Sequence, residues 1–351
     1  MKHFPERLKA ARKMNGFSLQ DLSDELKNSL NKQSLQRLET GEAQPDSETI
    51  SLLCKALKVT TDYFFRESTV SLEDLTFRKL KKLLVKEQEK VKAQTVDFLE
   101  RYLELEDMLG LDSEIKFPPK AFKVKGAEDV QKAANKLREQ WKLGLDPLPN
   151  IVEMLEQNNI KVQLTTADKA FSGMSTIIKD KIGVIVLNTN EEIPIVRRRF
   201  SALHELAHLY LDLSSFDEKQ SEKMCDVFAA SMLLPPAKLR DFLGEKRTNV
   251  VMKELSIIAG QYGISMAAII YHSFANGIIS ASYHKFFMIK YNQYRTKEKE
   301  FKVYEGKENS ERFLQLLIRA VAEEIISTTK AATLNNQKLG DFRQILDSAI
   351  K

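Results

Sequence analysis

The chain has 351 residues, 43% hydrophobic and 29% charged, a globular composition that argues against wholesale disorder. Lys and Arg number 54 against 49 Asp and Glu, and the net charge of +5 is too slight to argue for a nucleic-acid partner by itself. The two cysteines, Cys54 and Cys225, allow no disulfide framework and fit a reducing compartment.

Residues 5 to 66 read as five short helices. Pro5 opens the first. Ser18 caps the second, with Asp21 three residues on as a capping-box partner. A third runs from about Gln33 to Gly41, a fourth follows Pro45-Asp46, and TTDYFF makes a last turn. Leu22, Leu26, Leu35, Leu38, Ile50, Leu53 and Leu57 recur at helical spacing and predict one small core. Residues 71 to 110 are densely charged and lack Pro and Gly until their end, so they read as a solvated helical linker. Phe117-Pro118-Pro119 marks a boundary.

Two helices are expected between 127 and 158. Three strands follow, KVQLTT (161–166), SGMSTII (172–178) and GVIVLN (183–188), separated by turn signals. Further helices run to about 275, and residues 309 to 351 are amphipathic helix again. The fold class is mainly α, in the α+β sense. The expected domains are 1–66, a linker 67–120, a central domain 121–290 with a small three-stranded sheet, and a C-terminal helical region 291–351.

The most specific pattern is His204-Glu205-Leu206-Ala207-His208. Residues four apart lie on one helix face, about 6 Å along the axis, so the two imidazoles can share one Zn2+. Glu205 is placed to act as general base on water at the metal. On the next helix Glu222 supplies a third ligand, and Asp226 can hydrogen-bond the far nitrogen of a ligand histidine. Cys225 is the rival third ligand. Tyr271, His272, Tyr283 and His284 are candidate donors to an oxyanion, and spacing does not choose among them. A sheet edge beside the zinc helix would hold an extended peptide by backbone pairing.

RRRFSALHELAHLYL and SEKMCDVFAASMLLPP in combination, with the looser GISMAAIIYHSFANGIIS, resemble the ImmA/IrrE-type metallopeptidases. These are zincin-like enzymes of the gluzincin kind that relieve repression by cleaving repressor proteins. The resemblance spans 121 to about 285. It implies His204, His208 and Glu222 as zinc ligands and Glu205 as catalytic base. This chain has Cys225-Asp226 where that family commonly has Ala-Asn.

FSLQDLSDELKNSLNKQSLQRLETG with AQPDSETISLLCKALKVTTDYFF resembles the XRE-type helix-turn-helix over residues 4 to 66. That resemblance implies double-stranded DNA as a partner. It puts Lys32, Gln33, Ser34 and Arg37 on the base-reading face, with Gln36 and Ser18 toward phosphate. The KNSLNK turn is about two residues longer than usual and lacks its glycine, which predicts a tilted reading helix. With 11 basic and 9 acidic side chains in residues 1 to 66, one copy would bind weakly, and a homodimer through 71–110 is the expected remedy.

The combined expectation is a transcriptional regulator and zinc endopeptidase. Its substrate would be a repressor or other regulator, this chain itself included. The charged N-terminus and the lack of a long apolar run predict a cytoplasmic location and no membrane partner. The alternative is a non-catalytic regulator that uses the peptidase fold as a sensor or dimerisation scaffold, in a toxin-antitoxin or phage-defence setting.

Overall fold

The computed structural model describes residues 2–70, 83–115, 118–294 and 304–349. Residues 71–82 of the expected linker and Phe117 of the expected boundary lie outside them. The described chain is mainly helical with a small three-stranded sheet, as its hydrophobic periodicity predicts. It divides into two compact units, residues 1–113 with 311–351, and residues 114–310. These breaks differ from the expected ones at 66, 120 and 290.

The first unit begins with helices α1 (Phe4–Met14), α2 (Leu19–Glu25), α3 (Lys32–Thr40) and α4 (Ser47–Leu57), closed by a 3-10 turn at Thr61–Phe65. Each start after the first has its cap. Ser18 and Asp21 form a complete capping box, and the Asn31 and Asp46 side chains accept from Ser34 N and Thr49 N. Gly41 ends α3 in the left-handed conformation. All seven periodic apolar residues are buried, around Phe4, Leu8 and Phe64. In the longer α2–α3 turn Lys27 (φ 51°) and Asn28 (φ 58°) take the left-handed conformations a glycine would otherwise supply.

Helix α5 (Val85–Met108) is not the solvated linker its composition suggests. It buries Val91, Leu99, Tyr102 and Leu105, and its buried acids are paired. The Arg7 guanidinium donates to Glu100 Oε2 at 2.5 Å and to the Arg66 and Glu67 carbonyls, tying α1 to α5. Asp97 pairs with Arg66 and Arg101, both at 2.9 Å. Burial pushes the Asp97 carboxyl up, but these two arginines outweigh it and hold the group below the usual range.

The second unit runs β1 (Phe122–Lys123), α6 (Ala127–Gln140), α7 (Ile151–Gln157), β2 (Lys161–Thr165), β3 (Gly173–Ile178), β4 (Ile182–Asn188), α8 (Ile195–Tyr210), β5 (Leu211–Asp212), α9 (Glu218–Leu233), α10 (Pro236–Leu243), α11 (Met252–Tyr262), α12 (Met266–Ala275) and α13 (Ala281–Tyr294). Helix α13 continues past the expected helical limit near 275. In the sheet, ordered β2-β4-β3, β4 is central and buried along its whole length, paired parallel to β2 and antiparallel to β3. Helix α8 packs against α9, β3 and β4.

Helices α14 (Arg312–Ala322), α15 (Thr328–Leu334) and α16 (Leu339–Ala349) return to the first unit. Leu317, Leu334 and Phe342 form a core there with Tyr102 and Leu105 of α5. No single described helix is long and apolar enough to cross a membrane, although α11 and α12 pass that test as a pair bent by 101°.

Candidate metal centre

Helix α8 turns Ala202, Leu203, Leu206, Ala207 and Leu209 into the core. The same periodicity brings His204 and His208 to one half-buried face, with ring centroids 5.2 Å apart. Asp217 starts α9 with a complete capping box, its carboxylate accepting from Gln220 N and the Gln220 side chain accepting from Asp217 N. That start sets the phase of α9 and turns Glu222 and Asp226 toward α8.

Four of the expected residues converge. His204 Nδ1 lies 2.8 Å from Asp226 Oδ1, and His204 Nε2 lies 3.2 Å from Glu222 Oε2. His208 Nε2 lies 3.2 Å from Glu222 Oε1, yet outside hydrogen-bond geometry. It is a buried nitrogen with no hydrogen-bond partner among the described residues. A buried imidazole nitrogen in that state, facing a carboxylate and a second imidazole, suits a divalent cation better than a proton. The donor set fits zinc. Cys225, wholly buried, forms a second grouping, since one ligand atom each from His204, His208 and Cys225 lies within 4.8 Å of the others.

Glu205 faces the sheet and is 3% exposed. Ser175 Oγ, on β3, donates to its Oε2 at 2.9 Å. Gly173 on the same strand allows the close approach of β4, because a Cβ there would stand 2.9 Å from Val186 O. The sequence reading missed Ser175, since it lies 30 residues from Glu205 and in no motif.

The four oxyanion candidates separate. His272 is buried, with Nε2 3.0 Å from Leu234 O, and burial pulls its pKa down to about 4. The Tyr283 hydroxyl accepts from Val250 N and meets Asn249 Oδ1. His272 thus belongs to the interior, and Tyr283 ties down the Asn249–Val250 segment. The Tyr271 phenol is pushed up by burial and then by the Asp226 carboxylate. His284 stacks on Phe274 and meets the Tyr271 ring edge-on.

Also unforeseen is the buried Arg199, five residues ahead of His204 on α8. It pairs with Glu308 and donates to the Leu148 and Gly263 carbonyls. Glu308 Oε2 in turn accepts the Ile151 and Val152 amides at the start of α7. This network anchors the helix that carries both histidines.

Residues 155–273, which contain Ser175, His204, Glu205, His208, Glu222, Cys225, Asp226 and Tyr271, match the family model of the IrrE N-terminal-like domain, and residues 8–64 match that of the helix-turn-helix. The chain joins a helix-turn-helix domain to an IrrE N-terminal-like domain. No curated protein matches the sequence. The IrrE N-terminal-like domain carries a metallopeptidase-like fold. The helix-turn-helix is a double-stranded-DNA-binding module. On its α3, Lys32, Gln33, Gln36 and Arg37 are exposed, while Ser34 is half-buried and donates its amide to Asn31. Ser18 is exposed, its hydroxyl oxygen accepting the Asp21 amide.

Proposed function

We propose that this chain is a transcriptional regulator whose IrrE N-terminal-like domain is a zinc-dependent endopeptidase. The observation that carries the reading is the convergence of His204, His208 and Glu222 beside a buried Glu205 carboxylate. A purely structural metal would have no use for Glu205.

In this reading His204 Nε2, His208 Nε2 and Glu222 hold the ion. Bound zinc supplies Lewis acidity, polarising a scissile carbonyl and acidifying water. Asp226 accepts the Nδ1 proton of His204 and so commits Nε2 to the metal. The Glu205 carboxylate takes the proton of the attacking water and returns it to the leaving amide nitrogen. The Ser175 hydroxyl holds that carboxylate in place. Tyr271 donates its phenolic hydrogen to the developing oxyanion, a phenol being protonated at neutral pH. Strand β3, an edge of its sheet among the described residues, pairs with an extended peptide, so the substrate is a flexible segment of a repressor or regulator. The exposed face of α3 reads operator DNA through Gln33 and Arg37, with Lys32, Ser34, Gln36 and Ser18 in support. A homodimer, cytoplasmic in location, supplies the affinity that one weakly basic copy lacks.

The test is Glu205→Gln. Zinc-loaded wild type and variant are incubated with an unfolded protein substrate and alone, and fragments are read by mass spectrometry. Fragments from wild type only, with about one zinc per chain in both, support the enzyme. Equal fragmentation, or none from the zinc-loaded wild type, leaves the domain a sensor or scaffold.

A further inference from the structure

The ligand set above leaves one buried donor of the centre unused. Cys225 follows Glu222 by three residues on α9 and precedes Asp226 by one, so all three share a helix face. It forms no disulfide. Its sulfur belongs to a grouping in which the ligand atoms of His204, His208 and Cys225 are mutually within 4.8 Å. In a tetrahedral site, zinc–nitrogen and zinc–sulfur bonds of about 2.0–2.3 Å place neighbouring donors roughly 3.5 Å apart. Small rotations of side chains already gathered here close the difference. Glu222 meets the same two imidazoles, each at 3.2 Å. The two imidazoles are thus common to the carboxylate of Glu222 and to the grouping that holds the thiol of Cys225.

We propose that Cys225 is a fourth protein ligand of this centre. The inference rests on the metal-centre reading and deepens it. A catalytic zinc keeps one position open, whereas four protein donors close it. On coordination the Cys225 S–H bond breaks, its proton passes to solvent, and the thiolate sulfur binds the ion. Withdrawal of the thiolate recovers a proton and opens the position that water and substrate need. No oxidant or reductant takes part. The thiolate also biases the centre toward softer ions than a His-His-Glu set alone would select.

Cobalt(II) substitution tests this without relying on activity. The full-length chain, stripped of metal, is titrated with cobalt(II) and followed by absorption. Wild type is expected to show the visible bands of a low-coordinate cobalt site together with a near-ultraviolet thiolate-to-cobalt charge-transfer band. Cys225→Ala, which retains Cys54, should keep the visible bands, lose the charge-transfer band and bind cobalt about tenfold more weakly. Cys225→Ser gives the same comparison should the alanine variant fold poorly. Visible bands without charge transfer in wild type overturn the role of Cys225 and leave the His-His-Glu centre standing. Failure to take up either cobalt or zinc overturns the metal-centre reading itself.

Discussion

Asp226 Oδ1 stands 2.8 Å from His204 Nδ1, on the side of the ring opposite the nitrogen that meets Glu222. The contact fixes both the tautomer and the rotation of the imidazole, so Nε2 faces the centre with its lone pair. Asp226→Ala is expected to weaken zinc binding by about 10- to 100-fold. Zinc competition against a chromophoric chelator measures this. An unchanged affinity would remove Asp226 from the centre.

Ser175 touches Glu205 and no candidate metal ligand in the contacts described above. Ser175→Ala should therefore lower the cleavage rate about tenfold or more while leaving zinc content at the wild-type value. The pairing of rate assay with elemental analysis matters, because loss of zinc would instead mean that the sheet edge itself had shifted. Tyr271→Phe is the companion variant, with an expected fall in kcat of about 10²- to 10³-fold and little change in KM.

The Arg199–Glu308 pair is buried on both sides. Glu308→Ala leaves a guanidinium uncompensated in the core and should destabilise the second unit by about 3–5 kcal/mol. Trp141, the chain's one tryptophan, sits half-buried against Tyr210 in that unit and reports its urea unfolding by fluorescence. A loss below about 1 kcal/mol would mean that the pair is hydrated in solution.

His272 gives the second unit a pH dependence of defined sign. Its folded-state pKa, about 4, lies below the ordinary 6.5 because burial disfavours the imidazolium. Between these values the unfolded chain binds a proton that the folded chain refuses. Stability therefore falls as pH drops from 6.5 toward 4, by about 3 kcal/mol across the window. Urea midpoints of metal-free protein at pH 7 and 5 should show the slope in wild type. His272→Gln, which keeps a donor for the Leu234 carbonyl, should show a smaller one, and equal slopes would exclude His272 as the source.

On the DNA side, Arg37→Ala and Gln33→Ala should each weaken binding to a duplex selected by the wild type by about 1–3 kcal/mol. Fluorescence anisotropy at fixed salt measures it. Unchanged affinity for both variants would move the reading surface off α3.

Local chemistry was enough for much of this protein. The caps at Ser18, Asn31 and Asp46 and the apolar spacing around Leu22, Leu35 and Leu53 dictate the helix-turn-helix, because both act over a few residues. Likewise His204 and His208 share a face because a helix repeats every 3.6 residues, and the run GVIVLN is apolar enough to be a central strand. Contacts across long separations were decided by the tertiary structure alone. Nothing near Ser175 marks it as the partner of Glu205, and only the packing of β3 on α8 joins them. The acids of α5 read as solvated charge until Arg7 and Arg66 are brought against them, since a buried carboxylate looks the same in sequence as an exposed one. Helices α14–α16 carry a plain amphipathic pattern, which states that an apolar face must be covered and cannot name Tyr102 and Leu105 as what covers it.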